Sequence, residues 1–193
     1  MNDAKDRIFS TVDLLLSYID SGVFFRKPFW WLYVLLAAAN ALAPFYVLFA
    51  TIRSGIFTLA EGTVLFSLFV ALLLVWLACW LGALIWWNRK DKVLETSSEG
   101  SEFSATPVLS HFIQTLGENY GVFVAIVGAG TSLLVTVFLG GLTEILFENI
   151  LPFNPGFFGI FIFPVIGYLS IVVSRFIAEQ MRALAAIANN TKK

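Results

Sequence analysis

Four long apolar runs constrain this chain more than any other feature. They extend from Pro28 to Ile52, from Thr63 to Trp87, from about Tyr120 to Phe147, and from Phe157 to Ala178. A helix crossing the roughly 30 Å hydrocarbon core of a bilayer needs about 20 mostly apolar residues, and each run supplies that. None alternates with the period of two that a barrel strand requires. Backbone polar groups left unpaired in lipid are too costly, so helices are the spanning form expected. The fold class is therefore an all-α integral membrane protein with four transmembrane helices. Composition agrees. The 193 residues are 59% hydrophobic and 13% charged, against about 45–50% and about 25% in soluble domains. A soluble domain of this size could not hide so much apolar side chain. Composition argues against a water-soluble enzyme, and the net charge of −1 removes the electrostatic case for binding nucleic acid.

Basic residues set the expected topology. Lys5, Arg7, Arg26 and Lys27 precede the first run, and Arg89, Lys90 and Lys92 lie between the second and third. Arg175, Arg182, Lys192 and Lys193 mark the end of the fourth run and the tail. Only Arg53 falls on the other side, and the excess of lysine and arginine identifies the cytoplasmic side. Both termini are then cytoplasmic, and the expected residence is a bacterial cytoplasmic (inner) membrane. The first run starts too late and runs too long for a signal peptide. Trp30 and Trp31 open the first run and Trp86 and Trp87 close the second, where indoles of an interfacial belt are expected. Trp76 and Trp80, four residues apart, either line a cavity or pack on a neighbouring helix.

The chain divides into residues 1–27, 28–87, 88–119, 120–178 and 179–193. The first segment is an amphipathic helix carrying the stripe Ile8, Val12, Leu15 and Ile19, which either lies in the cytoplasmic interface or docks on a partner. The second is a transmembrane hairpin. The third joins a polar linker, from Glu95 to Glu102, to a second interfacial helix marked by Val108, Phe112, Ile113 and Leu116. The fourth is the other hairpin, and the fifth is a cytoplasmic tail helix with Met181, Leu184 and Ala188 at helical spacing. The two halves read alike, as a tandem duplication would produce.

Within the runs, Asn40 is the foremost polar candidate. Pro44 leaves its carbonyl without the usual donor four residues on, so a side-chain amide and a backbone carbonyl stand together near mid-span. Such a group either lines a polar path or makes an interhelical hydrogen bond. Glu61, Glu144 and Glu148 lie in the opposite connections, where they either contact hydrated headgroups or, as rings of carboxylates around an oligomer axis, would concentrate cations. Ser67, Ala71, Ala78 and Gly82 in the second run, Ala125, Gly128 and Ser132 in the third, and Gly167 in the fourth form small-residue rows expected to pack helix against helix.

No acid or base is expected at a midplane, which argues against proton coupling. His111 stands too isolated for a triad or a metal site. Cys79 is the lone cysteine. No enzymatic activity, metal or cofactor is expected. The expected partners are the lipid bilayer and either further copies of the chain or a larger membrane complex. The leading functional expectation is a homo-oligomeric channel or pore, with Asn40, Glu61, Glu144 and Glu148 as its polar elements. The alternative is a non-catalytic scaffold or accessory subunit. The topology is open to direct test in a chain with Cys79→Ala. A membrane-impermeant thiol reagent applied outside should label a cysteine placed at Glu61 and should not reach one placed at Ser98.

Overall fold

The computed structural model describes residues 23–60, 62–95, 105–139 and 156–191. The amphipathic stripe of the first segment, the linker after Glu95, and Glu61, Glu144 and Glu148 lie outside the described residues. So do the described runs' missing ends at 140–147 and the lysines at 192 and 193.

Four helices are long and apolar enough to cross a membrane, which fits an integral membrane protein. Helix α1 spans Val23–Arg53. Gly55, at φ 73°, takes the left-handed conformation that turns the chain after it, and a single helical turn, Ile56–Leu59, follows. Helix α2 spans Gly62–Glu95. Helix α3 begins as Ala105–Phe123 and continues through a π turn at Val124–Gly128, an α segment at Ala129–Leu134 and a second π turn at Val135–Leu139. Helix α4 spans Gly156–Asn190 and so carries the fourth run into the tail without a break.

The Val108, Phe112 and Leu116 stripe and the span itself belong to one helix. A break there would expose backbone groups at the membrane edge. Continuation instead carries Glu118 into the bundle, where two arginines meet its charge.

Sequence neighbours are also neighbours in space. Helix α1 packs extensively on α2, α2 on α3, and α3 on α4, whereas α4 makes no extensive contact with α1 or α2. The result is an open row of helices with α3 as the link between the α1–α2 hairpin and α4.

Small residues set the α3–α4 seam. A Cβ on Gly121 would strike the carbonyl oxygen of Gly167 and lie 2.7 Å from Cγ1 of Ile171. One on Gly167 would meet the Gly121 carbonyl and come within 2.9 Å of the Ala125 Cβ. Gly117 sits against the Ser174 side chain in the same way, and Gly128 against the Phe163 ring. The spacing of four among Gly117, Gly121 and Ala125 places them on one helical stripe. Backbones at such distances gain dispersion contacts that lipid chains cannot match. Of the expected packing residues, Gly167, Ala125 and Gly128 lie in this seam. Ser67, Ala78 and Gly82 are buried on α2, Ser132 is buried on α3, and Ala71 is half-buried. The Ser67 hydroxyl donates to the Thr63 carbonyl at 2.8 Å, which satisfies it within its own helix.

The aromatic core lies at the basic end of the bundle, where α1 and α3 begin and α2 and α4 finish. Tyr33, Ala37, Trp86, Val93 and Val108 form it, with Phe29, Leu36 and Phe112 packed around them. The Tyr33 and Trp86 rings meet edge to face, 4.9 Å between centroids at 80°, a favoured aromatic geometry. Trp86 is thus no member of an interfacial belt, since it is 1% exposed. Trp87 follows the expectation: it is exposed and Lys90 sits 4.2 Å over its ring. The Trp30 indole donates to Asp91 at 3.1 Å, joining α1 to α2 at that end. Trp76 and Trp80 are exposed and line a cleft of about 310 Å³ with Ala41, Pro44, Phe45 and Leu77.

Gly121→Leu should force α3 and α4 apart and cost about 1–3 kcal/mol, the usual range for overpacking. A lower midpoint for unfolding of the purified protein in detergent would register it, while Ile162→Leu on the exposed face of α4 should leave the midpoint unchanged.

Candidate functional site: a buried polar network at the basic end

Glu118 is the centre of the polar network. Helix α3 places it on the side facing the gap between α2 and α4, where it is 7% exposed. Arg89, near the end of α2, donates from Nη2 to Oε1 at 2.8 Å and to Oε2 at 2.6 Å. Arg175 of α4 donates from Nε and Nη2 to Oε1 at 3.1 and 2.8 Å. Gln114, one turn before Glu118, adds a bond from Nε2 to Oε1 at 3.2 Å. The Gln114 carbonyl oxygen in turn accepts from Arg182 Nη2 at 3.3 Å. One carboxylate thereby ties three helices, including the two that do not otherwise touch extensively.

The environment explains why the pairing is tight. A carboxylate removed from water at the membrane edge needs its lone pairs filled, and the two guanidiniums supply charge-assisted donors to both oxygens. The arginines are less enclosed, with side-chain exposures of 23% for Arg89 and 53% for Arg175. They can reach headgroups or water while holding Glu118.

One turn toward the start of α3, a second, uncharged chain of bonds joins α3 to α1. Thr115 donates its hydroxyl to the His111 carbonyl at 2.8 Å. Its only proton is spent there, so the 3.1 Å contact with Tyr33 is a bond from the phenol to Thr115 Oγ1. The Tyr33 proton is then spent too, and the 2.8 Å contact between the Tyr33 oxygen and His111 Nδ1 requires the imidazole to donate. The protons therefore run from Nδ1–H through the phenol and the threonine hydroxyl to a backbone carbonyl, and His111 is the Nδ1-protonated tautomer. Its Nε2 is a buried acceptor with no hydrogen-bond partner among the described residues.

Next to Glu118 on α3, Asn119 converges with Asn40 of α1 on α2. Both amide oxygens lie closer than 3.0 Å to the point that a Cβ on Gly82 would occupy. Glycine at 82 is what admits them. Asn40 also donates from Nδ2 to the Leu36 carbonyl at 2.9 Å, and Pro44, within α1, leaves the Asn40 carbonyl without its helical donor.

Of the expected polar elements, the structure places Asn40 between three helices; the glutamates at 61, 144 and 148 lie outside the described residues. Glu118, Arg89, Arg175, Gln114, Tyr33, Thr115 and Asn119 were not among the expected site residues. The available signal was the i, i+4 spacing of His111–Thr115 and Gln114–Glu118 on one helix. It is hidden by reading the third span as starting at Tyr120. His111 is also less isolated than expected, because a tyrosine 78 positions away supplies its partner. Among the described residues, no group of three or more His, Cys, Asp or Glu side chains is placed to hold a metal ion.

No protein-family model, no curated protein and no solved structure matches the chain.

Replacing Glu118 by alanine strands two guanidiniums at the membrane edge. Removing one partner of a buried ion pair costs about 3–5 kcal/mol, and the lower end of that range is expected because Arg175 keeps half its surface exposed. Arg89→Gln in the same chain should restore part of the loss. Equilibrium unfolding of the single and double variants in detergent micelles measures this; a double variant no more stable than Glu118→Ala would contradict it.

Proposed function

We propose that this chain is a non-catalytic membrane subunit, a scaffold or accessory component whose open row of helices is completed by another protein surface. The observation that carries the reading is the attachment of α4 by one face alone, through α3. Its other faces present Phe157, Phe161, Tyr168 and Phe176 outward. A second feature supports association within the membrane. Ala37, Ala38, Ala41 and Ala83 line an outward cleft between α1 and α2, flanked by Trp80 and Trp87, and small residues in such a place let a further helix approach closely. The charges inside the bundle favour a structural role over chemistry. Glu118 spends both carboxylate oxygens on guanidiniums of two other helices, an arrangement that fixes helices relative to one another. The tail of α4 and the segment before α1 would dock on the cytoplasmic side of a bacterial inner membrane, with both termini on that side.

A homo-oligomeric channel is the second reading, and the convergence of Asn40 and Asn119 over Gly82 favours it. Two carboxamides at one depth, beside a carbonyl freed by Pro44, are the polar elements such a path needs. Glu61, Glu144 and Glu148 would then stand at its mouth.

Purification in mild detergent followed by mass photometry, with planar-bilayer recording of the same sample, separates the two. The subunit reading expects a complex heavier than one chain and no current above the empty bilayer. Steady currents from a homo-oligomer that fall at least severalfold in Asn40→Leu would overturn it in favour of the channel.

A further inference from the structure

Arg175 and Arg182 have more hydrogen-bond donors than the protein uses, at a depth where acceptors are scarce. A guanidinium carries five N–H donors. Arg175 commits Nε and Nη2 to Glu118, and Arg182 commits Nε to the Ala178 carbonyl and Nη2 to Gln114. The Nη1 group of each makes no hydrogen bond among the described residues. The two arginines are seven residues apart on α4, two turns along one face, and both are pinned by α3 residues one turn apart. Their positions are therefore set by the fold and not by a search through rotamers.

Depth identifies the missing acceptor. Arg175 lies nineteen residues along α4 from its first residue, Gly156, which at 1.5 Å per residue is roughly 28 Å. That is about the thickness of the hydrocarbon core. The surrounding α4 surface, Val172, Val173 and Phe176, is exposed and apolar, suited to acyl chains. The Arg175 side chain, half exposed, thus emerges where the hydrocarbon gives way to phosphates. Charge has the matching sign: Arg89 and Arg175 share the single carboxylate of Glu118, and Arg182 is held by the uncharged Gln114 one turn away. The other acid near them is Glu179, which follows Arg175 by four residues and precedes Arg182 by three, is exposed and forms no ion pair among the described residues.

We propose that Arg175 and Arg182, held by Glu118 and Gln114, form a binding site for the phosphate of an anionic membrane phospholipid. The lipid's acyl chains lie along the apolar face of α4 and its phosphate accepts from the two Nη1 groups. Glu179, exposed four residues after Arg175 and three before Arg182, lowers the affinity by repelling the phosphate. The site belongs to the single chain, so it holds whichever assembly the chain enters.

The test is native mass spectrometry of the full-length protein in detergent, titrated separately with phosphatidylglycerol, phosphatidylcholine and inorganic phosphate. Wild type should retain phosphatidylglycerol in preference to phosphatidylcholine. A basic residue near an anionic surface contributes about fivefold in binding, so Arg182→Gln should cut the preference roughly fivefold and Arg175→Gln/Arg182→Gln further. Arg182→Gln leaves the Glu118 ion pairs intact, which keeps the test valid if the double variant fails to fold. Glu179→Gln should strengthen retention, a direction that loss of a merely structural contact does not produce. Equal retention of the two lipids by wild type, or unchanged retention across the variants, overturns the site. Displacement of the lipid by millimolar inorganic phosphate overturns the lipid assignment in favour of a free anion.

Discussion

The Glu118 carboxylate, shared by Arg89 and Arg175, is the interaction on which the arrangement of this bundle depends. Helix α4 has no extensive packing with α1 or α2, so nothing apolar fixes its angle to that hairpin. In lipid the hydrophobic effect does not draw helices together, because acyl chains are as apolar as leucine side chains. Close packing at Gly121 and Gly167 holds α4 to α3. The ion pairs then tie its charged end to α2 through one buried acid. A charge of this kind is strongly directional and leaves few alternatives, since any other helix register would strand it.

Around that centre the bundle divides by depth. The aromatic core of Tyr33, Trp86 and Phe112 and both hydrogen-bonded networks occupy the basic end. From Gly117 and Ser174, beside the Glu118–Arg175 pair, toward mid-membrane, the contacts are backbone approaches across glycine and, next to Glu118, the convergence of Asn119 and Asn40 over Gly82. The π turns of α3 at Val124–Gly128 and Val135–Leu139 lie beyond Glu118, on the side away from the basic end. Wide turns of this sort often accompany functional positions, and α3 is the helix that bears both the π turns and most of the interior polar groups.

Much of this was legible in the residues. Four runs and their lengths gave four long helices, and the small-residue rows gave Gly167, Ala125 and Gly128 as contact points. Asn40 was recognised as a polar group with two possible roles. Glu118 was not, because at the edge of an apolar run a carboxylate is as ordinary as any headgroup-facing acid. Only its three-dimensional neighbours, arginines 29 positions before it and 57 after it, distinguish it. Trp86 was misread for the related reason that an indole at a span's end looks interfacial until a tyrosine from another helix covers it.

By itself the sequence determined the solvent. Long apolar runs admit one kind of backbone in lipid, and that alone dictated helices, their number and their approximate ends. Tertiary structure decided which faces of those helices meet and which polar groups are turned inward. Hydropathy is a sum over each segment taken alone, so it carries no information about pairing. The meeting of Glu118 with Arg89 and Arg175, the tautomer of His111 and the convergence on Gly82 each depend on side chains from separate helices arriving at one point.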